Sequence, residues 1–594
     1  MASSPIVENS YRPSFSILSG GSEIPSTYEV ISINIEQEIN KIAEAEIVIR
    51  DGDASEQTFD ATDSDTFKPG TEIEIKLGYE DLDDSVFKGI VVKQLITIND
   101  FSGSRLKIIC RDKALKTIVS RKNIVFENMK DSDIISQIAG TYGLSTTITD
   151  TTVLYKEMVQ FNVSDWDFML NRAELNGMVL ITDSGTLVMA VPDVSDEPVL
   201  QVQFGYDIIE FDGEIDATYQ YSAVEGNSWD MSTQSVINAS AAEPTVNTQG
   251  DMTGTDLAGV LSAGTNTLNA SVPIEQASVQ AWADATLLKS RLSRFKGTLL
   301  FQGSALAKPN TTIQLSGLSE RFNGNAFISG VNHRVDNGKW NTEVKIGMHP
   351  EGFSESRDVS GPIASGLLPG VKGLQTGIVK KTYEDPDNQF RVQVEIPLLG
   401  SDANLVWARL SSFYTGNSFG AYFMPEVNDE VILGFMNDDP RFPIILGSLY
   451  SSSIPAPQTP DEKNTIKTIL TQSNLQVKFD DENKVLSIIT PGGNTIVLSD
   501  QDSGITITDQ NNNTIQMNSD GITIDSKSNL TLKAAEGVTI NGATITTTGT
   551  ESVSVSGGTI SVSGDETVSI SGSSECSVSS DGELALKGAT VMVN

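Results

Sequence analysis

Residues able to do covalent or metal chemistry are few in this 594-residue chain. Of its two histidines, His333 sits in the strand-like stretch Gly330-Val-Asn-His-Arg-Val and reads as a packed side chain. His349 precedes Pro350 and has no Cys or His neighbour at metal-ligand spacing. The two cysteines, Cys110 and Cys576, are too few and too far apart for a disulfide framework. Cys576 takes a place where neighbouring repeats carry Val or Ile, which points to a small apolar role. Asp and Glu number 78, yet no pair stands out from a solvated surface, so a glycosidase dyad has no support. The turns Gly557-Gly558 and Gly564-Asp565 fall short of the Gly-Gly-x-Gly-x-Asp calcium repeat and read as solvent turns. The residues therefore predict no catalytic group, no metal and no cofactor.

The bulk composition narrows the function further. With 78 acidic against 40 basic residues the net charge is −38, the wrong sign for binding nucleic acid through its phosphates. Such a charge keeps β edges soluble and apart. Hydrophobic residues make up 38% of the chain, enough for packed cores, but no stretch approaches the ~18–20 apolar residues of a membrane span. No stable membrane insertion is expected. The start, MASSPIVENSYRPSF, lacks a basic region followed by an apolar run, so no classical signal peptide is expected either.

The elements that would carry function are repeats. Val553/Val555, Ile560/Val562, Val568/Ile570, Cys576/Val578, Leu584/Leu586 and Val591/Val593 recur every seven or eight residues, with Ser, Thr, Gly, Asp or Glu between them. Spacing of two puts both members of a pair on one face of a strand. Turn formers such as Ser556-Gly557-Gly558 and Ser571-Gly572-Ser573 separate the strands. A single short strand cannot bury its apolar face, so it needs stacked neighbours. A single-chain solenoid would give about five coils and about 25 Å, whereas a three-chain prism would give about sixteen steps and roughly 75 Å, at about 4.8 Å per strand. Periodicity alone leaves both open.

Upstream, period-2 alternation from Tyr11 to about Cys110 predicts an antiparallel barrel or sandwich. Helices are predicted from Ser132 to Gly140, from Ser164 to Gly177, and from Ser278 to a Gly297 cap. The Ser-, Thr-, Gly- and Asn-rich stretch from about Asn238 to Ser271 reads as a loop or insertion. Linkers with many small residues and Pro precede and follow a compact β unit from Gly377 to Tyr450.

That unit carries Gly377-Ile-Val, Asp385-Pro386, Arg391-Val-Gln-Val, Trp407-Ala-Arg409, Pro425-Glu426-Val427, Asp429-Glu430-Val431, Gly434-Phe435, Asp439-Pro440 and Gly447-Ser448-Leu449-Tyr450. In this order they resemble the oligonucleotide/oligosaccharide-binding-fold (OB-fold) domain of VgrG spikes and phage tail spikes. Asn428 stands where that family usually has Gly, which alters a turn. Residues 159–189, with Gln160, Asp165-Trp-Asp-Phe, Arg172 and Glu174, look like the family's hub segment. Residues 297–317 and 327–340 resemble the second hub barrel shared with phage tail protein D. Val477-Lys-Phe-Asp-Asp and Ile489-Thr-Pro-Gly-Gly-Asn look like the start of its three-chain prism.

The resemblance implies a mainly β chain with five parts: a hub of paired β-barrels with a few helices (1–355), a linker (356–374), an OB-fold domain (375–450), a second linker (451–464) and an intertwined trimeric β-helix (465–594). It implies a homotrimeric, non-enzymatic spike made in the bacterial cytoplasm and assembled into an injection particle. A hexameric Hcp-like tube and baseplate proteins would meet the hub, and effector cargo could ride on the spike. Some phage spikes end in a His-x-His iron site, but no His follows His349. A tip metal would then belong to a partner. With the last strand running up to Asn594, no further effector domain is expected. Leu584, Leu586, Val591, Met592, Val593 and Asn594 are expected to form a platform for a PAAR-repeat tip protein. Type VI systems, phage-tail-like particles and phage tails share these features. The rival expectation is a trimeric tail fibre or β-helix polysaccharide depolymerase, which would need an acidic cleft.

Overall fold

The computed structural model describes residues 3–6, 12–100, 103–195, 197–230, 233–262, 264–270, 274–355, 364, 369–397 and 405–593. Most of the expected linker 356–374 lies outside them, as does Asn594. The chain divides into two units, Met1–Ser448 and Leu449–Asn594.

The alternating stretches near the N-terminus form antiparallel strands Pro13–Ser19, Glu29–Glu38, Glu44–Arg50, Glu72–Tyr79, Leu82–Asn99 and Gly103–Arg111. A one-turn helix, α1 (Asp60–Asp63), lies among them. Their inward residues, among them Ile33, Ile35, Ile47, Ile49, Ile75 and Ile108, make one core. Cys110 lies in it, its thiol pushed up to about 12 by burial, so it is inert. Strands Ile208–Ile215, Phe295–Gln302, Thr311–Ser316, Gly324–Asp336 and Lys339–Ile346 enclose a second core around Leu299, Phe301, Ile313, Ile328 and Val344. The two halves share one 13-stranded sheet. Gly324–Asp336 joins them, pairing with Lys339–Ile346 on one side and Glu29–Glu38 on the other. His333 sits on this joint, opposite Ile35 and 1% exposed. Its Nδ1 lies 2.9 Å from Thr342 Oγ1.

Four longer helices pack on this frame. In α2 (Asp131–Thr141) the buried Ile134, Ile135 and Ile138 form the inward stripe. In α3 (Asp165–Leu175) Ser164 is the N-cap, its hydroxyl accepting from the Asp167 amide at 3.1 Å. The stretch expected to be a loop is ordered instead. It contains strand Ser235–Ser240, helix α4 (Gly254–Leu261) with a Thr253/Asp256 capping box, and strand Thr265–Ala270. Composition misleads here because these polar segments take their order from elements outside the stretch: Ala223–Asp230 pairs antiparallel with Ser235–Ser240 and in parallel with Thr265–Ala270, and helix α5 (Gln276–Leu292) packs against Ala223–Asp230 and Ser235–Ser240. The expected Gly297 cap is also corrected: α5 ends at Ser293 and Gly297 lies inside a strand. A Cβ there would lie 2.1 Å from the Asp212 carbonyl oxygen, so close strand approach requires the glycine.

Strands Gln375–Lys381, Val392–Glu395, Leu405–Leu410, Pro443–Ser448 and Glu430–Phe435 close into a small barrel around Val379, Val392, Val394, Val431 and Ile445. Asn428 adopts φ +77°, the left-handed turn that Gly would otherwise supply.

In the second unit, Ile466–Leu470 to Gly521–Asp525 form a seven-stranded antiparallel meander in which each strand pairs with the next. Strand partners here come from the same chain, not from other chains as expected of the repeats. The cause is turn chemistry. Each reversal carries one left-handed residue: Asn474, Lys484, Gly493, Ser503, Asn512 and Gly521. Among the described residues after Gly521 none has positive φ, and none after Asp525 belongs to a strand pair within the chain.

The buried His333 makes a prediction about pH. Burial holds its imidazole down at about 3 against an ordinary 6.5, so below pH 6.5 the unfolded chain takes up a proton that the folded chain refuses. Stability is fully present above that pH and falls as pH drops towards 3, by about 1.4 kcal/mol per pH unit from this group. Urea titrations at pH 6.5 and 5 should show this slope in the hub transition, and His333→Gln should flatten it.

Candidate functional site

Among the described residues no group of three or more His, Cys, Asp or Glu side chains is placed to hold a metal. The residues singled out in the hub segment gather instead into a positioning network. Asp165, at the start of α3, accepts from Lys122 Nζ (2.6 Å), the Tyr142 hydroxyl (2.6 Å) and Gln160 Nε2 (2.8 Å). Arg172 makes a fork to Asp131 at 2.6 and 2.9 Å, with Asn176 donating to the same carboxylate. Its guanidinium lies 4.9 Å from the centre of the Tyr155 ring, whose hydroxyl reaches Ser278 on α5 at 2.9 Å. Glu174 accepts from Lys289 Nζ and from the Phe353 amide, each at 2.7 Å.

These bonds tie α3 to α2, to α5 and to the end of the hub. Each named carboxylate is held by a cation or by two or more donors, so none is set up as a general acid or base. Asp131 and Lys289, the partners that give the motif its purpose, were not picked out from sequence. Their distance along the chain left no local signal. A cavity of about 290 Å³ borders the network, with Glu174, Tyr219, Trp282, Lys289 and Glu351 in its lining.

On the small barrel, the Asp-Pro loops are latched by arginines. Asp385 accepts a fork from Arg391, with Nη2 at 2.6 Å, and three backbone amides besides. Arg391 and those amides hold its carboxyl well below the usual range. Asp439 is likewise lowered by Arg441. The segment between strands 405–410 and 430–435 carries Phe413, Tyr414, Phe419, Tyr422 and Phe423, all exposed. Its aromatic density was visible in sequence but was absorbed into the family match.

The second unit presents a continuous apolar surface. Across the meander Ile469, Val477, Ile488, Ile496, Ile507, Ile515 and Ile524 stand directly opposite one another in register. Two residues along each strand on the same face, Phe479, Leu486, Leu498, Ile505, Met517 and Ile522 form a second row. The opposite face carries Thr468, Lys478, Ser487, Val497, Thr506, Gln516 and Thr523. This is a sheet with one oily side, and that side is uncovered in the chain: Ile496 and Ile507 remain 38% and 36% exposed at its middle. Such an area on a soluble protein marks a contact surface.

Residues 526–593 continue the apolar pairs without a ladder, and from Lys527 onward every one is exposed. Their corners are shaped for glycine: a Cβ on Gly572 would lie 2.1 Å from the Glu575 carbonyl oxygen, and one on Gly549 2.3 Å from that of Ser552. The expected platform residues Leu584, Leu586, Val591, Met592 and Val593 are all exposed, the last two at 87%.

Three family models match this chain: the Alg8 N-terminal domain over residues 9–337, the type VI secretion system/phage-baseplate injector OB domain over 375–450, and the phage baseplate V C-terminal trimerisation domain over 485–594. The type VI secretion system spike protein VgrG3 of Vibrio cholerae is 36% identical over 89 residues, 14% of this chain and 9% of that protein. The actin cross-linking toxin VgrG1 of the same species is 34% identical over 88 residues, covering 14% and 8%. The matches thus span under a tenth of these relatives. A tail protein from Neisseria meningitidis superimposes with a TM-score of 0.42 at 16% identity, over 58% of this chain and 99% of that one.

The network can be tested directly. Asp131 and Arg172 side chains are 1% and 16% exposed, so Arg172→Ala strands a buried carboxylate and should destabilise the hub by about 3–5 kcal/mol. Chemical denaturation of the full chain measures this, and a loss under about 1 kcal/mol would mean that the pair does not hold α2 to α3.

Proposed function

We propose a function from one premise: the chain belongs to the VgrG-type spike proteins, with matches to the Alg8 N-terminal, injector OB and baseplate trimerisation domains in that order. It works as the homotrimeric hub and spike of a contractile injection system. The hub joins a hexameric Hcp-like inner tube and baseplate proteins to the spike, and the spike carries a tip or effector cargo through the target envelope. Its role is mechanical rather than enzymatic.

The observation that carries this is the uncovered two-row apolar face of the meander, followed by apolar pairs with no ladder in their own chain. Three copies with these faces turned inward make a dry prism. Gross burial of about 1.5–3 kcal/mol per Val or Ile over so many residues amounts to tens of kcal/mol per chain. The trimerisation family matched over 485–594 supports the number three. From residue 526 onward, strand partners come from the other two chains, giving about eight steps and about 40 Å of intertwined shaft at about 4.8 Å per step. Two β halves in each hub, each with its own core, offer six similar edges per trimer to a sixfold tube.

At the far end Leu584, Leu586, Val591, Met592, Val593 and Asn594 from three chains form an apolar platform for a PAAR-repeat tip protein. The particle assembles in the cytoplasm and leaves it on firing.

Light scattering on the purified full chain should give three times the chain mass. Replacing Ile496 and Ile507 together by Asp places three pairs of charges in the dry centre and should abolish the trimer. A wild-type monomer in solution would sink the proposal. Separately, deleting residues 583–594 should leave the trimer intact and abolish pull-down of the tip protein. Unchanged pull-down would place the tip contact elsewhere.

A further inference from the structure

At the C-terminal end of α5 two arginines are buried side by side. Arg291 is 1% and Arg294 5% exposed. Arg291 forks to Glu243 through Nε (2.7 Å) and Nη2 (2.9 Å). Arg294 donates from Nη2 to the Asn247 carbonyl at 2.8 Å and lies over the Phe295 ring, 5.2 Å from its centre, but has no carboxylate among its ion pairs. Two cations thus share one acid, whose side chain is 54% exposed. A guanidinium cannot shed its proton to escape burial, so one positive charge is left to be balanced.

The unbalanced charge coincides with unmet hydrogen bonding. Among the described residues Arg291 Nη1, Arg294 Nε and Gln249 Nε2 have no partner, and all three residues line a small cavity with Asn247, Leu292, Phe295, Phe327 and Gly347. Gln249 is itself 4% exposed. Every unmet side-chain atom from this lining is a donor. The cavity volume is about 10 Å³, the space of one small occupant. A water would meet the three donors with only two lone pairs and would leave the charge unbalanced.

We propose that this cavity is a structural halide site, holding one chloride ion between Arg291, Arg294 and Gln249. The ion neutralises the second arginine and pins two separate segments together: the end of α5 with the residues just after it, and the segment around Gln249, which bridges to Gly324. It is independent of the spike function and concerns the hub alone.

Two measurements on the full chain test it. Crystals grown in bromide should show an anomalous peak within hydrogen-bonding distance of all three donors. The hub should melt about 2–4 °C higher in chloride or bromide than in gluconate at matched ionic strength. Arg294→Met should remove that difference. Should this variant fail to fold, Gln249→Leu, which deletes one donor and no charge, should reduce it. A water without anomalous signal, or a halide effect undiminished in the variants, overturns the site. A bromide peak with no effect on melting marks an adventitious ion only and overturns it equally.

Discussion

The second unit depends on one constraint: a sheet one strand thick has two faces, and this one has made only one of them compatible with water. Seven β-branched residues in a straight cross-strand row, with a second row beside them, cannot be hidden by a meander that never folds back on itself. The face therefore stays open in the unit itself, and covering it would be strongly favourable. The same constraint explains the economy of the repeat. Polar residues predominate on the wet side and at corners, because most of the apolar demand is concentrated in two positions per strand.

The hub solves the opposite problem, since its faces are covered by its own chain. Two cores lie along one continuous sheet, and a single long strand, Gly324–Asp336, takes part in both. Charge is used internally to lock helices rather than to act on substrates. Asp165, Arg172 and Glu174 each bind a partner on another element, so the stretch that looks most like a motif is a set of clamps. Such cross-ties resist sliding of one element over another.

Legibility in the sequence followed the range of the interaction. Period-2 alternation between Tyr28 and Cys110 was read correctly because the face a side chain takes is local information. The helix starts at Asp131 and Asp165 were read within a residue because capping acts over three positions. Asn428 was legible as a departure and its φ of +77° accounts for it. The order hidden in residues 238–271 was not legible, because Ser235–Ser240 and Thr265–Ala270 owe their strands to Ala223–Asp230 and α5, not to their own polar composition. Gly297 was misread as a cap for the same reason: its true constraint, the Asp212 carbonyl, lies far back in the chain.

Sequence alone determined the family resemblance, the mainly β class and the repeat, because these rest on spacing, and spacing is written along the chain. Tertiary structure decided where self-pairing stops. Only the backbone shows that one left-handed residue per turn reverses the chain up to Gly521 and that no described residue does so afterwards, so the meander ends while the apolar pairs go on. It also decided that the hub's charged residues are clamps, and that two arginines share one acid at the end of α5. Pairing across long separations is set by three-dimensional packing, and a one-dimensional pattern carries no record of which distant group arrives.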